Sequence, residues 1–591
     1  VLGEGARTLA ELLRGRGFST GGASSSFLLR RASGIAQGFQ FFDAEMPEPA
    51  PHEPPAVERD GLQTLEAAEA WLRMQDGQRY FLFLEVPGRA ADAVVSRVVQ
   101  ALKNRNLYDG ATIVFTAGRG GVDSGARLDE TALRVPFVVK QPGRAGAGRH
   151  VAAAVQHVDI LPTLLDLVRS PLPGGLRGRS LRPILDSNDG TVAEQPIYAE
   201  SLEAAFRFGG EPVFAITSGG YRFQRGPGED LSAIAGVELP PDATPPAMER
   251  MRALLDGLLQ GKAIPSPADI RAADDTSYAA AGYLPGLRTL QPLTTPVDAN
   301  EQSALTSAHR SAARLVASRQ LPSAIAVLHG ITRKRSDLAT VHAQIASLLA
   351  RTGRLTEAVD AFDLAGTLRP DDPNVAMGLA SAELGARRLE EAKLQAEHAV
   401  MLAEKSDPRV RAAAREVALR VALAANEAEG ALAHAAEAQR ADPSRPLTPF
   451  ARGRLAYDAG RYEEALTDLQ EAATVLREQG SELAELHLYL GEVLVQLNRH
   501  ADAEAEFREE VRAFPQNIRA YSSLATLYRA SNRAQAAEQT IDDLVVAAPT
   551  PEGYAMAARL WMIVGERARA EALRADARRR FRRDAALANL R

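Results

Sequence analysis

The sequence predicts two architectures in one chain of 591 residues: an α/β domain over residues 1–230 and an all-α solenoid of helix pairs over residues 303–591, joined by a linker at 231–302. Three observations carry this reading. Ala111 to Ala117 is a short run of β-branched and aromatic residues bounded by Asp109-Gly110 and Gly118, the pattern of a parallel strand covered on both faces. An amphipathic helix with Val94, Val95, Val98, Val99 and Leu102 on one face connects it to a second apolar run, Tyr80 to Val86, completing a βαβ unit. From Ser303 onward the chain turns Ala-rich with a period near 34 residues, and a period of that size means stacked helix pairs.

The other elements follow in order. Thr8 to Arg16 has Leu9, Leu12 and Leu13 at helical spacing, and Gly17 ends it before a strand around Phe18 to Ala23. The Pro-rich segment Pro47 to Pro55 is extended surface chain, followed by a helix carrying Leu65, Ala68 and Trp71. Val135 to Lys140 reads as a strand, Val158 to Val168 as a helix, and Pro196 to Glu200 and Val213 to Phe223 as late strands. Between Leu231 and Asn300 the pattern weakens into paired prolines and short polar runs, with one helix at Met248 to Leu259.

In the second half each pair needs a small residue where its helices cross, a bulky one a turn later, and Pro to end it. Ala358, Phe362, Ala365 and Pro370 satisfy this, as do Ala503, Phe507 and Pro515. Further copies centre on Ala324, Ala392, Ala431, Ala465, Ala537 and Ala570, giving about eight units, two with small insertions. Each unit buries its apolar face only against its neighbours, so the array coils into a superhelix with a concave groove.

Composition narrows the functional classes. Net charge is −6, which gives neither nucleic acid nor an anionic membrane a bulk electrostatic attraction. The chain has no Cys, which removes disulfides, thiolate metal sites and a Cys nucleophile from these residues. No run of 18 or more apolar residues occurs, so no membrane span is predicted. The basic run Arg578 to Arg583 reads as the solvated face of a final helix.

The runs LYDGATIVFTAGRGG (107–121), DETALRVPFVVKQPG (129–143), VQHVDILPTLLDLV (155–168), GLRGRSLRPIL (175–185) and IYAESLEAAFRFG (197–209) resemble the sulfatases of the alkaline phosphatase superfamily, from about Thr8 to Gln224. The helical half resembles tetratricopeptide (TPR) repeats. The resemblance implies an α/β sulfatase or alkaline phosphatase-like domain followed by a TPR solenoid. It also implies that about a hundred residues upstream of Val1 carry the first strand, the first metal carboxylates and the nucleophile. Sulfatases place Asp-His-Gly or Asp-Asn-Gly after the strand at Ala111 to Ala117, and the acidic residue and its neighbour bind a divalent cation. This chain has Gly118 and Arg119 there, neither able to ligate a hard cation. Two further family segments are replaced, by Glu85-Val-Pro-Gly-Arg-Ala-Ala-Asp92 and by Asp123-Ser-Gly-Ala-Arg-Leu-Asp129.

These residues lead to a sulfatase-like domain without catalysis, metal or cofactor, acting with the repeats as a protein-binding or structural subunit. The alternative is an active sulfate or phosphate ester hydrolase using calcium or magnesium, its nucleophile upstream of Val1. Arg119 is a candidate anion contact; His157 is expected to be a packed, hydrogen-bonded His, Asp159 a helix cap, and Asp123 and Asp129 solvated loop acids. The partner is expected to be a protein or peptide in the repeat groove, lined by Arg452, Arg454, His487, Tyr489 and Tyr521, with His342, Gln344 and Tyr528 beside them. Nucleic acid is not expected, and a membrane only through an upstream anchor. The resemblance points to an exported, periplasmic or membrane-anchored bacterial protein.

Overall fold

Strand β1 (Ser19–Ser24) lies between β2 (Phe41–Asp43) and β3 (Tyr80–Glu85), all parallel, with Gly21 opposite both Phe41 and Leu82. The computed structural model describes residues 6–47, 56–75, 77–118, 120, 128–186, 194–234, 240, 244–260, 295, 297–406, 408–479 and 481–581. Two compact units divide the chain, one formed by residues 1–268 with 292–310 and the other by 269–291 with 311–591. None of the described helices is long and apolar enough to cross a membrane.

Helix Gly61–Arg73 is started by Asp60, whose carboxylate accepts from the N–H groups of Leu62 and Gln63, and it buries Leu65, Ala68, Trp71 and Leu72. Trp71 and Leu72 pack with Leu102 of helix Ala91–Asn104, and Tyr80, Leu82 and Ile113 close around them. The next strand departs from expectation. β4 (Ile113–Thr116) is not a doubly covered parallel strand: it pairs antiparallel with β5 (Phe137–Lys140) in a two-stranded ribbon. Phe115 is 37% exposed and Val138 56%. An apolar run looks the same whether it lies inside a sheet or in an uncovered ribbon.

The remaining strands, β6 (Ile197–Ser201), β7 (Val213–Ser218), β8 (Tyr221–Gly226) and β9 (Gly228–Ala233), form an antiparallel meander. The single late strand expected over Val213 to Phe223 is in fact a hairpin. Gly219 (φ 60°) and Gly220 (φ 80°) both take the left-handed conformation that a tight two-residue hairpin demands. Helix Thr244–Leu259 packs Met251 and Leu255 on Ile216, Phe223 and Leu231 of this sheet, so this part of 231–302 is docked structure. Most of the remaining linker, 261–294, lies outside the described residues.

The helices from Ala299–Ala317 to Arg567–Arg580 alternate as first and second members of pairs. At the turn inside each pair one residue takes positive φ: Arg319, Gly353, Arg387, Asn426, Gly460, Asn498, Asn532 and Gly565. Six of these eight are Gly or Asn, the residues that adopt this conformation at least cost. First helices touch the first helices of neighbouring pairs, as Pro373–Gly385 does Pro408–Ala424 and Ile518–Ala530 does Pro551–Val564. They therefore form the inner, concave wall. The crossings use the expected small-against-large contact: a Cβ on Gly491 would lie 2.5 Å from the Phe507 ring, and one on Gly378 2.4 Å from Phe362.

Candidate functional site

The exit of β4 is where an open α/β sheet would place a ligand. Gly118 is open there, with nothing within 4 Å of where its Cβ would stand. Arg119 and Asp123 lie outside the described residues. At the end of β4 the Thr116 hydroxyl and His157 Nε2 are 3.1 Å apart. His157 is hydrogen-bonded as expected but exposed, not packed.

The two acids nearest in sequence are committed to backbone amides. Asp129 is not a solvated loop acid: it caps helix Glu130–Leu133, accepting from Ala132 N at 2.9 Å. Asp159 is buried, 1% exposed. Its carboxylate accepts from Gln156 N at 3.0 Å and Arg179 N at 2.9 Å, and not from the N–H groups of helix Ile160–Leu167 as a cap would. It is the first of three latches: Thr163 Oγ1 accepts from Leu181 N and Asp166 from Ser180 Oγ, tying Arg179–Leu181 along one side of the helix. Gly178 allows this approach, since a Cβ there would stand 1.9 Å from the Val158 carbonyl oxygen. Among the described residues no cluster of three or more His, Asp or Glu side chains could hold a metal ion.

A second polar centre, missed from the sequence, closes the carboxyl ends of the three parallel strands. Arg59, 8% exposed, pairs with Asp43 at the end of β2 and donates to the Ser24 carbonyl and to Thr64 Oγ1. Glu85, ending β3, accepts from Ser24 Oγ at 2.7 Å and Ser25 N at 3.1 Å. The buried Arg59 thus meets partly exposed Asp43, and Ser24 and Thr64 are satisfied beside it, as buried polar groups must be. A buried Arg five residues before a Thr has no one-dimensional signature.

In the repeats, Tyr489 and Tyr521 are corrected as groove contacts because their rings are core, 1% and 5% exposed. Tyr521 packs with Ile541, Leu544 and Trp561. His342, Gln344 and Tyr528 are likewise buried. Arg452 and His487 point at the second helix of their own pair, Arg452 to Asp468 and Glu471 and His487 to Glu506. Arg454 stacks 4.2 Å from the centre of the Tyr489 ring and pairs with Asp458.

Tyr489 organises what the wall does present. Arg519, unpredicted, lies 5.1 Å from its ring centre, donates to its hydroxyl at 2.9 Å and pairs with Glu492 at 2.6 Å. Burial pushes the Tyr489 hydroxyl up to about 12. Three successive first helices, Leu447–Asp458, Leu486–Gln496 and Ile518–Ala530, thus supply Arg454, Tyr489 with Glu492, and Arg519 to one patch. Farther along, Arg579 and Arg580 pair with Asp576.

Residues 126–223 match the family model described as N-sulphoglucosamine sulphohydrolase, C-terminal, and residues 310–373 and 450–518 match that of the tetratricopeptide repeat. The extracellular sulfatase SULF-1 homolog of Drosophila melanogaster is 34% identical over 113 residues, 18% of this chain and 10% of that protein. An N-acetylglucosamine-6-O-sulfatase of Bacteroides thetaiotaomicron is 28% identical over 111 residues, 18% of this chain and 20% of that protein. The chain covers only 10–22% of the length of the first curated relatives it matches. Among solved structures, BT4656 in complex with D-glucosamine-2-N,6-O-disulfate aligns over 44% of this chain and 83% of its own, at 13% identity and TM-score 0.37. The chain joins a sulfatase-related domain to an array of tetratricopeptide repeats.

Proposed function

We propose that this chain is a protein-binding subunit whose repeat array holds a peptide or protein segment, and whose sulfatase-related domain does not hydrolyse esters. The observation that carries the binding reading is the inner-wall patch around Tyr489, where Arg519 keeps 48% of its side chain exposed although its ring and carboxylate partners hold it in place. A pre-oriented, partly desolvated guanidinium is a favoured contact for a partner carboxylate. On the other side, Gly118 stands where an active relative would carry a carboxylate, and Asp129 and Asp159 are spent on backbone amides. Without a metal, a hydroxyl or formylglycine nucleophile has nothing to lower its pKa or neutralise the developing oxyanion.

The test has two arms. Aryl sulfate and aryl phosphate hydrolysis by the full chain should stay at buffer background with about 10 mM calcium or magnesium, roughly tenfold or more above the ~0.1–1 mM at which extracellular calcium modules bind; turnover above background refutes the non-hydrolytic reading. Partners captured by the full chain should be lost on deleting 303–591, and partner binding that survives the deletion refutes the array as the binding surface.

A further inference from the structure

We propose that the edge of the α/β unit where the parallel strands begin docks on an anionic lipid surface.

Three helix-to-strand turns lie at this edge. Helix Leu9–Arg14 runs into β1, helix Gly61–Arg73 into β3, and helix Ala91–Asn104 into β4. Ser19 and Tyr80, which start β1 and β3, stand opposite each other, and Tyr80, Tyr108 and Ile113 pack in one cluster around Trp71. The three turns are therefore neighbours. Each helix carries a cation in its last turn, Arg14, Arg73 and Lys103, and Arg16, Arg79 and Arg105 follow at or beyond the helix ends. Arg79 lies 4.7 Å from the centre of the Phe18 ring and donates to the Arg16 carbonyl at 2.9 Å. The charge of Arg105 acts on the Tyr80 hydroxyl, and Lys103 Nζ lies 5.2 Å from the centre of the Tyr108 ring.

None of these six cations pairs with a carboxylate among the described residues, and Arg105 Nε is buried without a hydrogen-bond partner. By contrast, Arg59, Arg89, Arg97 and Arg182 of the same unit all have acidic partners. A helix dipole accounts for one cation in each last turn, and not for the three that follow. Two acids fall in the same turns, exposed Asp109 and also Asp76, which lies outside the described residues; against six cations they leave the edge basic. Charges are screened within about 8 Å at physiological salt, so a surface approaching this edge meets its cations and not the chain's net charge of −6.

Beside Arg73 stands Met74, 69% exposed, the most exposed large apolar side chain among the described residues of this unit. A projecting apolar side chain among cations matches the boundary between charged headgroups and acyl chains. Single-stranded nucleic acid would need aromatic faces on which to stack its bases. The rings here are taken: Arg79 covers Phe18, and Tyr80 and Tyr108 pack into the Trp71 cluster.

The test is co-sedimentation of the full chain with vesicles of phosphatidylcholine, alone or with about 30% phosphatidylglycerol, in about 0.1 M salt. Binding should be about tenfold or more tighter to the anionic vesicles and should weaken as salt rises. Each basic residue near such a surface strengthens binding about fivefold, so Arg14→Gln, Arg16→Gln and Arg73→Gln together should weaken it about a hundredfold. The side chains of these three make no hydrogen bond or ion pair among the described residues, so the fold does not depend on them. Lys at the same three positions should keep binding within about threefold of the wild type, because the charge is retained. Met74→Ser, which removes the apolar tip, should cost about tenfold. A control with the same change of charge elsewhere, Arg440→Gln, Arg567→Gln and Arg579→Gln, should bind within about twofold of the wild type. Equal binding to both kinds of vesicle, or a control that loses as much as the edge variant, overturns the proposal. Unchanged binding by Met74→Ser overturns the insertion of that side chain. Fluorescein-labelled single-stranded DNA or poly-glutamate that binds where vesicles do not, and is lost with the three Arg→Gln changes, overturns the lipid assignment.

Discussion

Glu383 is the residue whose replacement most sharply tests the packing of the repeats. It lies on helix Pro373–Gly385, 6% exposed, with Oε2 lacking any hydrogen-bond partner. Burial raises its pKa from 4.5 to about 7, helped by the charges of Glu391 and Asp363 and opposed by Arg388. The folded state therefore holds a proton that the unfolded chain releases near pH 4.5, and stability falls as pH rises from there to about 7. A carboxyl held near 7 in place of 4.5 corresponds to about 3 kcal/mol lost by pH 8. Glu383→Gln has the shape of the protonated acid and no charge to bury. It should change little at pH 4.5 and stabilise its helix pair by up to about 3 kcal/mol at pH 8, where unsatisfied amide hydrogens offset part of the gain. Hydrogen exchange of residues 373–403 in the full chain, variant against wild type at matched pH, reads this as slowing of up to about 100-fold at pH 8. A difference between the proteins that does not change with pH would refute the reasoning.

Two further predictions concern packing and buried charge. Phe507, 1% exposed against Gly491, should cost about 3–5 kcal/mol as Phe507→Ala, and Gly491→Leu should also destabilise, because the ring occupies the space a side chain needs; chemical denaturation monitored by helical circular dichroism checks both, and an unchanged midpoint in either counts against the crossing. Arg59→Met leaves the half-buried Asp43 without its cation and the Ser24 carbonyl and Thr64 hydroxyl without a donor, and should destabilise the sulfatase-related domain by about 1–3 kcal/mol, whereas Arg59→Met with Asp43→Leu should recover part of the loss; no recovery in the double variant would mean that Arg59 acts through its bonds to the Ser24 carbonyl and Thr64 alone.

Local chemistry was legible in the sequence, and long-range pairing was not. The helical period, the small and bulky pair Ala503 and Phe507 and the strand at Tyr80 could be read because each depends on neighbours in sequence or on a repeated spacing. The Gly-Gly turn at 219–220 was readable in principle and was overlooked within a run that otherwise looks like one strand. The pairing of β4 with β5 was not readable, since the same apolar run suits a central strand or a ribbon. In the groove, the side chains chosen for their polarity proved to be those that the helix pairs use against each other: Tyr489 and Tyr521 through their rings, Arg452 and His487 through carboxylates on the neighbouring helix. Arg519 went unnoticed because its importance comes from Tyr489, one repeat earlier.

The split between the β2-β1-β3 sheet and the β4-β5 ribbon bears on how the chain behaves in concentrated solution. Among the described strands β3 and β4 each have a neighbour on one side only, and Phe115 and Val138 face outward beside them. Open ladder edges with apolar flanks are templates for adding strands, whereas stacked helices have no such edge to offer. The colloidal limits of this protein are thus set in its strand-bearing half, and a charged residue in place of Val138, on the exposed side of the ribbon, is the smallest change that would raise them.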